Sequence, residues 1–483
     1  MSMQVGKRVI VGTIWSVLGQ SLYMVVSLVS NIILARFLTS EEFGTMGIIL
    51  FFITIGTVLA ESGFGGALVR KASVDESDYA TVFTFNLGIS IFLVLLVCFF
   101  SKTIASIYKD PNIVLLLIVS SSVLLINAFN IVQGVKLMRS MNFRLISIFR
   151  LISITVASLI GIYFAYFGLA VWSLVILQVL NALIYTSLTL VAGKLEGIRI
   201  AFSAKKFKDL FSFGANTTFA ALLTTAFDNI YTLIIARFFS INAAGFYFQA
   251  KRLQDVPVSV INMTAQTVLF SGLSKLQNEK DQFAKMYDMT ISIVTLIMGL
   301  VTSVILLFGE DIIISLFGDK WAPSGFYIKL LSVASFFFVQ ELMNKVIFKV
   351  FNKTELILFL EVIKKAIQTF TILLALYYMN HALLMYGFVA TAFVSYFINY
   401  YYSRRVFGGT SFLELLNLVK VVISIAISSG VVFIIFESYT FSHHERLFFL
   451  PLLFGIYVLA ARLLGFNFKN YASPLLRILK NES

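Results

Sequence analysis

Charge is scarce in this 483-residue chain. Asp, Glu, Lys and Arg make up 13% of it, about half the roughly 25% of an ordinary soluble domain. Cysteine is scarcer still: the single Cys98 lies inside the apolar run Leu93–Phe100. It excludes an intramolecular disulfide and any thiolate metal cluster, and a thiol in such surroundings is inert. Of the three histidines, His443 and His444 stand beside Glu445, too few ligands for a metal site. No phosphate-binding glycine loop, nucleophile elbow or cysteine cluster occurs. Neither a metal nor a cofactor is expected, and the sequence does not read as an enzyme. Acidic residues number 24 against 37 basic ones, a net charge of +13. In a soluble protein that surplus would suggest nucleic acid; here it falls in short loops, and no nucleic acid partner is expected.

What fills the chain instead is apolar: 59% of residues, 50 of them Phe. No water-soluble fold hides that much apolar surface, so lipid must be the solvent. A crossing helix needs about 20 mostly apolar residues. Such stretches fall near 11–34, 43–66, 80–100, 113–137, 145–167, 169–192, 211–236, 244–271, 287–309, 325–350, 356–379, 382–402, 417–436 and 447–466. The expectation is an all-α polytopic membrane protein of about fourteen transmembrane helices. Lys7 and Arg8 precede an apolar run that reaches Leu34 with no cleavage signature, so this run reads as the first crossing.

The loops fix an orientation. One set carries Arg70, Lys71, Lys136, Arg139, Arg144, Lys205, Lys206, Lys208, Lys275, Lys280, Lys285, Lys345, Lys349, Lys353, Arg404 and Arg405, with Lys469, Arg477 and Lys480 in the tail. The alternate set carries Arg36, Lys102, Lys109, Arg237, Lys320 and Arg446. The first set reads as cytoplasmic, which puts both termini inside; "inner" and "outer" below follow this charge bias. No loop is long enough for an extramembrane catalytic domain, which argues against a glycosyltransferase or polymerase.

An internal repeat divides the chain. Ile33–Gly44 reads ILARFLTSEEFG and Ile234–Gly245 reads IIARFFSINAAG. The Ala-Arg-Phe triplets and the glycines Gly44 and Gly245 align at an offset of 201. Six helices per repeat make it parallel, with a pseudo-two-fold along the membrane normal. The reading is a six-helix lobe over residues 1–205, a second over 206–405, and two further helices with a cytoplasmic tail over 406–483. Transporters place substrate at such repeat interfaces.

Several strings sharpen this. Leu34–Gly44 (LARFLTSEEFG) resembles the start of Wzx-type polysaccharide flippases. Phe270–Gln277 (FSGLSKLQ) resembles their FPxLSRLQ segment, with Ser271 where proline is usual, and Gly318–Trp321 (GDKW) resembles their GxKW link. Together they resemble the multidrug/oligosaccharidyl-lipid/polysaccharide exporter superfamily, nearest its colanic and teichuronic acid branch. The resemblance implies a fold like that of the related multidrug exporters. It also implies alternating-access movement of an undecaprenyl-diphosphate-linked oligosaccharide across a bacterial plasma membrane, driven by an H+ or Na+ gradient. Contact with polysaccharide polymerase or export machinery would follow. The alternative is a cation-coupled exporter of small drugs on the same fold.

Such a substrate needs hydrogen-bonding groups and positive charge inside the membrane, where ionisable groups are costly. Ser16, Gln20, Tyr23, Ser27 and Asn31 share one face of the first helix. Thr217, Thr224, Asp228 and Tyr231 share a face of the seventh, three of them repeat-equivalent to Ser16, Tyr23 and Ser27. Asp228 is the leading ion-coupling candidate, with Glu61 and Asp255 behind it; a structural ion pair is the competing reading. Lys251 and Arg252, about two turns into the eighth helix, suit a diphosphate, unless Lys251 and Asp255 merely neutralise each other. Arg36 and Arg237 end repeat-equivalent helices and line an outer mouth or snorkel to the interface. Asn127, Asn130 and Gln133 form a polar strip that meets sugars or packs helices. Arg150, Glu341, Lys345 and Lys349 lie toward inner ends, as a diphosphate receptor or as positive-inside anchors.

Overall fold

The computed structural model describes residues 2–193, 198–265, 269–408, 413–439 and 441–466. The tail with Lys469, Arg477 and Lys480, and the side chains of Thr217 and Ser271, lie outside the described residues. The described chain is helical: α1 (Ser2–Phe37), α2 (Ser40–Glu61), α3 (Phe64–Arg70), α4 (Glu76–Tyr108), α5 (Ile113–Arg139), α6 (Phe143–Tyr166), α7 (Val171–Ala192), α8 (Ala204–Phe238), α9 (Ile241–Thr264), α10 (Phe270–Lys275), α11 (Lys280–Phe317), α12 (Ser324–Val350), α13 (Thr354–Tyr377), α14 (His381–Phe407), α15 (Leu413–Ser438), α16 (His443–Arg446) and α17 (Leu450–Leu463).

Each of the fourteen expected crossings meets a helix, α16 and α17 together making the last. Twelve of these segments are long and apolar enough to cross a membrane among the described residues. The two that fall short are α9, with Lys251, Arg252 and Asp255, and α13, with Glu355, Glu361, Lys364 and Lys365. Their charges lower an otherwise sufficient apolar content. Where charge enters a bilayer-length helix it needs a partner or a hydrated face, so these two helices mark where to look for function.

The chain divides into two compact units, Met1–Phe248 and Gln249–Ser483. In the first, α4 packs on α5, α1 and α7 flank α6, and α8 lies along α2. In the second, α12 packs between α11 and α14, α13 leans on α14, and α15 bridges α11 to α17. The division at 248 places α8 with the first unit, whereas the repeat assigns it to the second lobe.

Local sequence explains the joints of the first unit. Thr39 and Asp75 start α2 and α4 with capping boxes closed by Glu42 and Asp78, each satisfying two orphan backbone donors. At the inner edge, Phe64, Phe85, Phe207 and Phe211 stack into one aromatic knot. Arg139 donates to the carbonyls of Leu68 at 2.6 Å and Lys71 at 2.5 Å, covering the exposed carbonyl end of α3. Lys206, at the start of α8, sits 2.5 Å from Asp75, and Lys71 lies 2.7 Å from Asp78. The Lys206 ammonium and the Asp78 N–H together hold the Asp75 carboxyl down at about 2. The Ala201 N–H donates to the Thr84 hydroxyl at 3.0 Å, pinning the stretch before α8 onto α4.

At the outer edge the repeat becomes geometry. Thr39 caps α2 by accepting from the Glu42 N–H, and Ser240, its equivalent at offset 201, caps α9 by accepting from the Ala243 N–H at 3.0 Å. The two helix starts then touch backbone to backbone. A Cβ on Gly44 would lie 2.1 Å from the Ile241 carbonyl oxygen; one on Gly245 would lie 1.8 Å from that of Ser40. Only glycine permits this approach. Ser40 and Ile241 are themselves repeat equivalents, so the contact is reciprocal. The Ser40 hydroxyl closes it with a 2.7 Å bond to Asn242 Oδ1.

Candidate functional site

The polar residues on α1 differ in setting along its length. Ser16, Gln20, Tyr23 and Ser27 are half-buried, and Asn31, toward the outer end, is buried. Beside them, α1 is held to α6 by Gly19, whose missing side chain admits Ser147, and by the Ser147 hydroxyl donating to the Trp15 carbonyl at 2.9 Å. The Asn31 side-chain oxygen is buried with no hydrogen-bond partner among the described residues, an uncommon condition for a buried polar atom. On α8, Asp228 and Thr224 are exposed while Tyr231 is buried. Thr224 returns its hydroxyl to the Ala220 carbonyl at 3.0 Å, a common resting state of threonine in a membrane helix. Glu61, the last residue of α2, is exposed, as are Arg36 and Arg237 at the ends of α1 and α8.

The strip on α5 splits. Asn127 is half-buried; Asn130 Oδ1 accepts from Thr189 of α7 at 2.7 Å. Gln133 is buried where Gly193 leaves room for its amide. Asn127 therefore keeps part of its surface uncovered, whereas Asn130 and Gln133 sit in the α5–α7 packing.

On α9, Lys251 and Arg252 are half-buried and Asp255 is exposed, so the three charges share one side of the helix. The opposite side carries Gln249 and Gln254, both buried, whose amide nitrogens and oxygens have no hydrogen-bond partner among the described residues. Pro257 lies inside the helix and leaves the Leu253 carbonyl without its N–H donor. This stretch holds more unmade polar bonding than any ordinary helix interior tolerates.

Two charge clusters in the second unit escaped the sequence reading, at least as clusters. Glu341 of α12 is fully buried and takes the Lys345 ammonium at 2.7 Å and the Lys364 ammonium of α13 at 3.0 Å. Lys345 also pairs with Glu361 of α13, and Lys364 sits 5.0 Å over the Phe338 ring. Glu341 and Lys345 were legible as inner-end charges. Their partners were legible only through the spacing Glu361-x-x-Lys364 within an apolar span. The second cluster centres on Glu414 at the start of α15. It pairs with Arg404 and accepts from Asn344 at 2.8 Å, Tyr396 at 3.2 Å and Tyr287 at 3.5 Å. It ties α11, α12, α14 and α15 into one joint.

A bundle of this many apolar helices with paired charge in its spans is a polytopic membrane protein in architecture, and solved structures share its fold. A solved structure titled lipid II flippase MurJ, inward closed conformation, superposes with a TM-score of 0.74 over 96% of this chain and all of that one, at 13% identity. An inward-facing multidrug resistance MATE family transporter of the MOP superfamily superposes at 0.63 over 80% of this chain and 94% of its own, at 17% identity. These likenesses show the fold. The family model described as polysaccharide biosynthesis protein matches residues 33–326, and the chain belongs to that family. It is 26% identical over 66% of its length to the succinoglycan biosynthesis transport protein ExoT of Rhizobium meliloti. It is 21% identical over 66% to the lipopolysaccharide biosynthesis protein WzxC of Escherichia coli, and 23% identical over 70% to the teichuronic acid biosynthesis protein TuaB of Bacillus subtilis. The matches span 65%, 65% and 70% of those relatives' own lengths.

Proposed function

We propose that this protein moves a polyprenyl-diphosphate-linked oligosaccharide from the inner to the outer leaflet of a bacterial plasma membrane by alternating access, coupled to an H+ or Na+ gradient. The observation that carries the reading is the family match together with the fold it shares with a lipid II flippase. The chemistry of α9 supports it: two adjacent cations, Lys251 and Arg252, reach a diphosphate where a purely apolar helix would repel one. Gln20, Asn31 and Asn127 supply hydrogen bonds for sugars, and Arg36 and Arg237 attract the anion to the outer mouth. Asp228, with Glu61 and Asp255, serves as the coupling site. Both termini lie in the cytoplasm, and glycan polymerase or export machinery is the natural partner.

The test is reconstitution. Liposomes carrying the protein should move a labelled polyprenyl-diphosphate glycan between leaflets, and Lys251→Met/Arg252→Met should slow this at least tenfold. Asp228→Asn should leave passive movement intact while abolishing its response to an imposed gradient. Wild-type liposomes that move no labelled glycan would overturn the proposal; liposomes that export a cationic dye instead would favour the drug-exporter alternative.

A further inference from the structure

Four carboxylates are almost completely buried among the described residues: Asp78, Asp311, Glu341 and Glu414. Three of them sit near helix ends. Asp78 is in the first turn of α4, Glu414 in the first turn of α15, and Asp311 within two turns of the end of α11. Glu341 is different. It lies nine residues from the inner end of α12, and Lys364 lies ten residues into α13. At 1.5 Å per residue both are about 14–15 Å from the inner ends of their helices, near the middle of a hydrocarbon core about 30 Å thick.

The charges form an open chain rather than a closed pair: Glu361, Lys345, Glu341, Lys364. Each contact but one joins α12 to α13, and the sum is neutral. The glutamate end is accessible, Glu361 being 24% exposed, and both lysines keep 13%. One turn inward of Lys345 stands Lys349, exposed, so two lysines at four-residue spacing lead along α12 from the inner end toward Glu341. Stability alone does not account for four charges here, because apolar residues of similar volume usually serve as well or better.

We propose that this chain is a charge-exchange site for a diphosphate group entering from the inner side. In the empty protein Glu341 and Glu361 occupy the two ammonium groups. A diphosphate takes Lys345 and Lys364 in their place, and the displaced Glu341, fully buried, takes one proton from solvent while the half-buried Glu361 turns toward water. Substrate binding is then linked to proton uptake with no covalent step. The inference rests on the diphosphate-bearing substrate of the proposed function, and it adds a second anion station separate from Lys251 and Arg252. Lys349 and Lys365 flank the chain on α12 and α13, and Glu355 stands at its inner approach. On the helices packed around it, Arg404 and Glu414 are closed on each other with Tyr287 and Tyr396. Lys280, Asp281, Lys285 and Asp288 of α11, Lys275 of α10, and Tyr400, Tyr401, Tyr402 and Arg405 of α14 are the other titratable groups on these helices toward the inner side.

The test uses the full chain in detergent and farnesyl diphosphate, a prenyl diphosphate without a glycan, as probe. Calorimetric titrations in two buffers of different ionisation enthalpy count the protons exchanged. Wild type should take up about one proton beyond the ligand's own titration, and bind more tightly as pH falls from 8 to 7. Glu341→Gln/Glu361→Gln should bind about tenfold tighter at pH 8 and lose the extra uptake, a coupling of ordinary size. The variant with all four residues neutral, Glu341→Gln/Lys345→Met/Glu361→Gln/Lys364→Met, keeps the charge balance where a lysine-only change would not fold. It should bind at least tenfold more weakly than wild type, with no extra proton. Wild-type binding by the four-fold variant, or equal uptake by wild type and the double glutamine variant, overturns the exchange. A wild type that flips lipid-linked glycan but shows no lysine-dependent binding removes this inference and leaves the proposed function standing. The reverse pattern, proton-linked binding without flipping, removes the proposed function and leaves the exchange.

Discussion

The two compact units place their ion pairs at different depths. In the first, Lys71–Asp78, Lys206–Asp75 and Arg199–Glu76 all gather at the inner edge, where α3, α4 and α8 begin or end. The second has edge pairs too, Lys329–Glu310 and Arg446–Asp311, but it also pairs Glu341, Lys345, Glu361 and Lys364 at mid-span and Arg404 with Glu414 inside the start of α15. Edge pairs with exposed partners, Lys206–Asp75 and Arg199–Glu76, work in water, are screened, and contribute little individually. Mid-span pairs lack that relief: losing one partner strands a charge in hydrocarbon. Similar residues thus act as fasteners at the edges of both units and as high-stakes contacts at the mid-span of the second.

The largest effect should come from breaking the mid-span chain on one side. Lys364→Met leaves Glu341 with one cation, and Glu341→Ala leaves two lysines facing each other. Either should destabilise the protein by about 3–5 kcal/mol, read as a fall in thermal midpoint in detergent. A double variant losing both should be less destabilised than the sum. Strict additivity would mean that the contact is not formed. Glu414→Ala should follow, at about 3 kcal/mol, since it strands Arg404 and strips partners from Asn344 and Tyr396. Limited proteolysis should then cut preferentially near the start of α15; uniform cutting would show that Glu414 does not anchor that helix.

Smaller and symmetric effects are expected at the outer crossing. Gly44→Ala and Gly245→Ala each force a Cβ into a carbonyl oxygen, costing about 1–3 kcal/mol. The two penalties should agree within about a factor of two, and a neutral substitution on one side would break the symmetry. The smallest effect is at Asp75. Its carboxyl is held at about 2 against an ordinary 3.8, so its contribution is fully present above 3.8 and disappears as pH falls through about 2. Asp75→Asn keeps a good helix cap but removes the ionised form's contribution, so it should lower the midpoint slightly at pH 7, match wild type below about pH 2 and flatten that acidic limb.

The fold was legible because lipid makes strong demands. A crossing needs length and apolarity, and both can be read along the chain without knowing any neighbour. The repeat showed itself because Ala-Arg-Phe and a glycine recur where two helices must approach closely. The site was less legible because it depends on which helices meet. Glu341 and Lys345 looked like inner-end charges as long as α13 was unseen beside α12. Asn130 looked like a ligand for sugar until Thr189 was found bonded to it. Gln249 and Gln254 gave no sign at all, since a glutamine is notable only when burial leaves its amide unpaired.

The glycine crossing carries one more consequence. Ser40 meets Gly245 and Ile241 meets Gly44, so residue i of one repeat touches j of the other, and j touches i. That pattern defines an isologous contact, the kind made by two identical subunits across a two-fold axis. A single polypeptide here keeps the surface logic of a homodimer. A change to either glycine or its facing carbonyl therefore acts as half of a paired change, and a variant that restores the fit is best sought at the facing residue of the other repeat, Ile241 for Gly44 and Ser40 for Gly245.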